Sequence, residues 1–281
     1  MARALQLAQR GLYTTTPNPR VGCVLVHDGR VVGEGWHQRA GEAHAEIHAL
    51  NAAATAARGA TAYTTLEPCS HQGRTPPCAE ALIAAGVARV VVAVQDPNPK
   101  VAGQGIAKLR TAGIEVESGL MEAMARELNI GFFARMTRGT PWLRSKIASS
   151  VDGRTALKNG ASKWITGEAA RHDVQHWRAR SCAVLTGIGT VLADDPQLNV
   201  RDIQTERQPL RVLLDSELRL PLTASILQHG NVVVYTAIQD AHKIAALEKS
   251  GVRVVVLPDA NGRLNLPTTP RPRRPALRAR S

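Results

Sequence analysis

Aromatic residues are scarce in this chain: Phe, Trp and Tyr together make 3% of its 281 residues. Proteins that hold single-stranded nucleic acid stack its bases on aromatic rings, so no nucleic-acid partner is expected. Four cysteines in a chain of this length exclude a disulfide framework. No apolar run reaches the ~20 residues that span a bilayer, which excludes a membrane partner of that kind. The stretch 1–10 lacks the long apolar core of a secretory signal and reads as an amphipathic helix. These absences together point to a cytoplasmic protein. Acidic residues are also short, 23 against 35 Lys and Arg, for a net charge of +12. Much of the excess is local, in Arg271, Arg273, Arg274, Arg278 and Arg280. The remainder is modest and suits phosphorylated small molecules.

Apolar residues reach 44%, enough for a sizeable core, and the length allows two domains. A first helix ends near Gly11, and 14–19 is a loop. An apolar strand over 21–26, an Asp28-Gly29 turn and a second strand over 31–36 read as a hairpin. A loop over 38–43 leads to an Ala-rich helix over 45–58. A strand over 60–65, a helix over 79–85 with Pro77 near its start, and a strand over 89–94 follow. A turn at 96–99, a strand over 114–117 and a helix over 121–129 complete the half. Strands alternating with helices predict a three-layer α/β/α sandwich. Charge, Gly and Pro cluster at 137–141, which sets the domains at 1–137 and 141–266. Pro and Arg at the density of 267–281 cannot build a core and read as a disordered tail.

The first half carries a metal pattern. His44-Ala45-Glu46 precedes Pro68-Cys69, and Cys78 follows eight residues further on. One imidazole and two thiols supply three zinc ligands, and a catalytic zinc keeps its fourth position for water. Mid-helix, residues i and i+2 diverge by ~200°, so His44 and Glu46 would face apart. At a helix N-terminus they converge, and the helix predicted from Ala45 puts them there. Cys78 is expected to open a helix whose start favours its thiolate. Unlinked core cysteines and surface histidines are the bland alternative, and the order His-x-Glu, Pro-Cys, Cys weighs against it. His48, one turn beyond His44, reads as a packed or surface residue. Cys23, in an apolar strand, and Cys182, at a strand start, read as core residues.

With Thr16-Pro17-Asn18-Pro19-Arg20-Val21-Gly22 upstream and the long Cys69–Cys78 spacing, the chain resembles the bifunctional deaminase–reductases of riboflavin biosynthesis. The resemblance runs from Met1 to about residue 266. It implies a cytidine-deaminase-like sandwich followed by a dihydrofolate-reductase-like α/β domain. It implies a phosphoribosyl-pyrimidine substrate, 2,5-diamino-6-(5-phosphoribosylamino)pyrimidin-4-one, with zinc on His44, Cys69 and Cys78. Glu46 is then the residue that shuttles protons between water, ring and leaving amine. Asn18 either satisfies its own Pro-Asn-Pro turn or supplies an amide partner to the base. The resemblance favours the base. His71 and Arg74, between the cysteines, either meet a ribose phosphate or lie on a solvated loop.

The second half begins with a strand predicted over 142–148. A helix over 168–180 and strands over 183–186, 210–214, 232–236 and 252–257 follow, with a helix over 241–249. Gly187-Ile188-Gly189 after a strand allows close approach to a phosphate, a weak signal alone. The longer run through Asp194-Asp195-Pro196 to Arg201 matches the family's reductase half. Carried over, the resemblance puts Ala148, Trp164, Thr190, Asp194 and Ser216 at NADPH. It puts Ser162, Arg178, Leu198 and Arg201 at the substrate. His172 and His176 read as an exposed helix face rather than a metal site. The family continues beyond this point with an acidic residue and a Gly-rich turn, so reduction is expected to be impaired here. Family members of full length are expected to form homo-oligomers. Two other classes share part of the pattern: a transfer-RNA-type base deaminase, and a non-catalytic zinc-stabilised binding module. The long Cys–Cys loop and the reductase-like half oppose the first, and Glu46 opposes the second.

Overall fold

The computed structural model describes residues 1–71, 77–99 and 101–265. It divides into two compact units, one from Met1 to Ala148 and one from Ser149 onward. The tail over 267–281 and Arg74 lie outside the described residues.

The first unit is built on a sheet in the order β2-β1-β3-β4-β5. Its strands are β1 (Gly22–His27), β2 (Arg30–Trp36), β3 (Thr61–Thr64), β4 (Arg89–Val92) and β5 (Glu115–Ser118). The first two form the expected hairpin, β1 runs antiparallel to β3, and β3, β4 and β5 are parallel. One face carries α2 (Ala45–Ala53), α3 (Cys78–Ala84) and α4 (Gln104–Thr111). Their Ala49, Leu82 and Leu109 share a core with Leu25, Val90 and Val92. The other face carries α1 (Ala2–Arg10), α5 (Glu122–Leu128) and α6 (Ile130–Arg138). Leu5, Ala125 and Phe133 pack there on Ala93 and Val94. The three layers expected from the alternation are present.

Two local features depart from the expected pattern. The helix after His44 ends at Ala53 and continues as a 3₁₀ turn over Ala54–Ala57, with Ala54 at φ 48°. The helix expected over 121–129 is present as α5, but a further helix, α6, follows it where none was expected, and buried Asn129 leaves helical geometry between the two. Its side chain accepts from Arg20 N and donates to Arg20 O, both at 2.8 Å. That exchange clamps the loop carrying Asn18 to the helical layer.

In the second unit α7 (Glu168–Arg180) precedes a four-stranded parallel sheet. The strands are β6 (Ala183–Gly187), β7 (Leu210–Leu214), β8 (Val232–Thr236) and β9 (Arg253–Val256), in that order. Between them lie α8 (Ile188–Asp194) and α9 (Ala241–Lys249). Ile188, Val191 and Leu247 of these helices cover Leu213 and Val234. Buried Arg211 donates to the carbonyls of Gln197, Ile226, Gln228 and Gly230, tying two loops to β7. The segment 142–148, expected as a strand, pairs with neither sheet, and Leu143 and Ile147 are exposed. Its apolar alternation fits a strand, but a strand also needs a neighbour for its backbone groups. The described residues offer it none. Cys182, expected in the core, is exposed, whereas Cys23 is buried.

Candidate active site

Gly33 and Gly35 decide where the site forms. A Cβ on Gly33 would meet Ala49 O at 2.2 Å, and one on Gly35 would meet Ala45 O at 2.2 Å. Only glycine lets α2 lie this close to β2. The approach brings His44, the N-cap of α2, against the end of β2. Glu46 sits in the first turn, 3% exposed, so the expected convergence at a helix start holds. Cys78 is the first residue of α3, and Ala79 N donates to Cys69 O at 3.1 Å.

His44 Nδ1 lies 3.2 Å from Cys78 Sγ and 3.6 Å from Cys69 Sγ. All three ligand atoms fall within 4.8 Å of one another. Tetrahedral zinc with Zn–N ~2.05 Å and Zn–S ~2.3 Å requires N···S edges of about 3.5 Å. The donor set therefore fits zinc in both chemistry and spacing. His48, the competing imidazole, is outside this cluster.

Without a metal, the shared hydrogen bonds favour the thiolate on Cys69, whereas bound zinc takes both sulfurs as thiolates. Hydrogen bonds from the Cys78 thiol, from His44 and from Cys78 N at 3.3 Å hold the Cys69 pKa down to about 4. The same bond to Cys69, together with burial, pushes the Cys78 thiol up. The start of α3 thus aims the Cys78 N–H at the neighbouring sulfur of Cys69. His44 is raised, chiefly by its bond to Cys69. Burial pushes Glu46 up to about 7, and its carboxyl also meets the Cys78 thiol. If this cluster holds the metal, Cys78→Ser should lose most bound zinc while wild type keeps one per chain. Metal analysis showing equal zinc in both would remove Cys78 from the ligand set.

Three residues near the metal cluster were not singled out in the sequence. His37, 2% exposed, turns its ring edge-on to His44 at a centroid distance of 5.3 Å. It lies 3.1 Å from Asn18 Nδ2, which brings Asn18 to the metal side of the sheet. Burial lowers its pKa. Glu67 is buried next to the Pro68-Cys69 turn and accepts from Asp96 N, Gly103 N, Gly105 N and Ile106 N. Asp96 is buried as well and accepts from Asn98 N at 2.7 Å. An acid beside a cysteine and an Asp-Pro turn have no sequence signature that separates them from ordinary turns.

Burial pushes Asp96 up to about 6. Its unfolded value is ~3.9, so between about pH 4 and 6 the native state holds the extra proton. The sign follows: stability from this group is full below that window and is lost as pH rises through it. Asp96→Asn should raise stability above pH ~6 by about 1 kcal/mol, discounted for partial exposure, and flatten this part of the profile. Identical pH–stability curves for variant and wild type would sink this account.

In the second unit Arg178 Nη1 donates to Asn199 O at 3.1 Å, and Arg201 Nη1 donates to Gln197 Oε1 at 3.1 Å. Burial lowers Arg178, and the Arg201 charge lowers it further, so the two guanidinium groups are close neighbours. Gln175 Oε1 accepts from Arg201 N, and the Gln208 amide bonds Val200 N and O, splinting the loop that carries Leu198. Leu214 pairs with Gly187, so Ser216 and the start of α8, with Thr190, share the carboxyl end of the sheet. Asp194 ends α8 and is exposed. Ser162 is half-buried, and exposed Trp164 lies under Arg171 at 4.6 Å from the ring centroid. Ala148 closes the first unit. Among the described residues no helix is long and apolar enough to cross a membrane.

Comparison with known proteins agrees with this geometry. Residues 1–94 match the cytidine and deoxycytidylate deaminase zinc-binding region, and residues 141–269 match the RibD C-terminal domain. The riboflavin biosynthesis protein RibD of Escherichia coli is 53% identical over 95% of this chain and 75% of its own length. That of Aquifex aeolicus is 47% identical over 93% of this chain and 74% of its own length. Among solved structures, Acinetobacter baumannii RibD superposes with a TM-score of 0.84 at 55% identity, over 92% of this chain and 73% of that one. The Thermotoga maritima diaminohydroxyphosphoribosylaminopyrimidine deaminase/5-amino-6-(5-phosphoribosylamino)uracil reductase gives 0.81 at 37% identity, over 92% and 80%. The chain thus spans about three quarters of these relatives. Both halves match one two-part enzyme, which sets aside the transfer-RNA deaminase and the binding module. A zinc-ligand cluster at two helix starts and a reductase-type second half, each matched in sequence and in fold, make this chain a member of the RibD family of bifunctional riboflavin-biosynthesis deaminase–reductases.

Proposed function

We propose that the first unit deaminates 2,5-diamino-6-(5-phosphoribosylamino)pyrimidin-4-one to 5-amino-6-(5-phosphoribosylamino)uracil, with Glu46 as the proton carrier. The observation that carries this reading is the convergence of His44 Nδ1 on two sulfurs beside a buried carboxylic acid. Zinc bound to His44, Cys69 and Cys78 supplies a water acidified to a pKa of ~7. Glu46 stands in the same helix turn, and its raised pKa suits it to gain and release a proton near neutrality. It takes a proton from the attacking water, delivers it to the ring nitrogen, and returns a proton to the departing amine. Oxygen stays on the ring carbon, ammonia leaves, and the reaction is balanced by one water. Asn18 holds the base edge. A structural zinc would have no use for a buried acid in that position.

In the second unit, Arg178 and Arg201 receive the substrate phosphate. Two adjacent guanidinium groups, bonded among the described residues to neutral acceptors, favour an anion between them. Ser162 and Leu198 complete the substrate side. NADPH, when bound, supplies the hydride that opens the ribosyl group to ribityl. Trp164, Thr190, Asp194 and Ser216 would hold it. The placement of Ser216 and Thr190 at the carboxyl end of a parallel sheet supports this, since ligands of open α/β sheets bind there.

The deaminase reading is tested by ammonia release from the diaminopyrimidine nucleotide. Release should stop with a strong chelator and return when zinc is added back. Turnover unaffected by complete removal of the metal would overturn the reading.

A further inference from the structure

His37 is used by none of the chemistry above, yet it stands between the proposed base-holding residue and a metal ligand. Its backbone N donates to Val21 O at 2.9 Å, which fixes the residue just past the end of β2. Its ring is buried edge-on to His44. Nδ1 lies 3.1 Å from Ala43 O, and Nε2 lies 3.1 Å from Asn18 Nδ2. A backbone carbonyl can only accept, so Nδ1 carries the hydrogen. In a neutral ring Nε2 then offers a lone pair, and Asn18 must donate to it through its amide nitrogen. This choice of tautomer determines the orientation of the Asn18 amide. Its Nδ2 is turned to His37, and Oδ1 has no hydrogen bond among the described residues.

We infer that His37 is a positioning residue for the deaminase: it locks the Asn18 amide so that Oδ1 faces the base as an acceptor. The site then favours a pyrimidine edge that offers an N–H and disfavours one that offers a lone pair. The backbone of the same loop is set separately, by the Asn129 clamp on Arg20. His37 orients the side chain and Asn129 holds the loop. The inference rests on the reading of Asn18 as the residue that holds the base.

The test is a double-mutant cycle on ammonia release, with zinc content and melting temperature measured for every variant. Asn can imitate Nδ1 and keep the bond to Ala43 O, but it cannot reach Asn18. Gln can place an oxygen near the position of Nε2. His37→Asn should raise KM about tenfold, the loss of one well-made hydrogen bond, with kcat changed by less than about threefold. Asn18→Ala should raise KM at least as much, and the double variant should be no worse than Asn18→Ala alone. His37→Gln should lie nearer to wild type than His37→Asn. If His37→Asn fails to hold zinc, His37→Phe, which keeps a ring against His44, takes its place in the cycle. An unchanged KM in the His37 variant beside a raised KM in Asn18→Ala overturns the inference and leaves the base-holding reading standing. Multiplying effects in the double variant overturn it too. An unchanged KM in Asn18→Ala overturns the reading itself and the inference with it.

Discussion

Glu46→Gln should reduce ammonia release by ~10²–10⁴-fold while zinc stays bound, since this is the usual contribution of a positioned acid–base group. The amide has nearly the volume of the acid, so the buried first turn of α2 need not move. Glu46 is not among the clustered ligand atoms, so metal content should be preserved. Only the ability to accept and return a proton is lost. Stability should move the other way. Burial raises the Glu46 pKa to about 7 in the folded chain. For a raised acid, the native state binds the extra proton between the unfolded and folded values. Its stability contribution is therefore full below pH ~4.3 and is lost as pH rises toward 7. Gln removes that loss, so the metal-free variant should melt no lower than metal-free wild type at pH ~7. A fall in turnover of less than about tenfold would take Glu46 out of its role. A variant that lost zinc in step with activity would assign it to the metal instead.

The metal cluster was legible because its information is local and chemical. Few reasons other than a metal bring His-x-Glu, Pro-Cys and a later Cys together, and a helix predicted to start at Ala45 already made His44 and Glu46 converge. The layers were legible for the same reason, since each strand and helix of the first unit carries its own periodicity. What stayed hidden depends on partners distant in sequence. Asn129 breaks a helix because it bonds Arg20, 109 residues earlier, and nothing near Asn129 announces that. The segment 142–148 has the alternation of a strand but no neighbour in either sheet. His37 follows a strand in an unremarkable sequence, and its part in the site follows from two hydrogen bonds across 19 and 6 residues and a ring contact across 7. The bond between the two cysteines was hidden in the same way. Sequence put Cys78 at a helix start, but only the geometry shows that its N–H points at Cys69.

Glu67→Gln should destabilise the first unit severely, although the two side chains have the same shape. Glu67 Oε1 accepts from Gly105 N and Ile106 N, and Oε2 accepts from Asp96 N and Gly103 N. An acceptor-only group meets four donors, two on each oxygen. An amide keeps one oxygen and turns its other end into a donor, so two backbone N–H groups face an NH₂ whichever way it is placed. Each buried donor left without a partner costs ~1–3 kcal/mol, which predicts a total of about 2–6 kcal/mol. In a unit of this size that lowers the melting temperature by on the order of 10 °C. The damage should reach the metal. A Cβ on Gly105 would meet Pro68 O at 1.9 Å, so the start of α4 lies directly on the turn that presents Cys69. Loosening the Gly103–Ile106 segment frees that turn, and zinc affinity should fall together with stability. Glu67→Ala, which takes the acceptor from all four N–H groups, should be at least as damaging as Gln, and the two are compared directly by thermal melt and zinc competition. A melting temperature for Glu67→Gln within about 2 °C of wild type would mean that the loops over 96–106 are held by other contacts, and that this buried carboxylate does not organise the ground beneath Cys69.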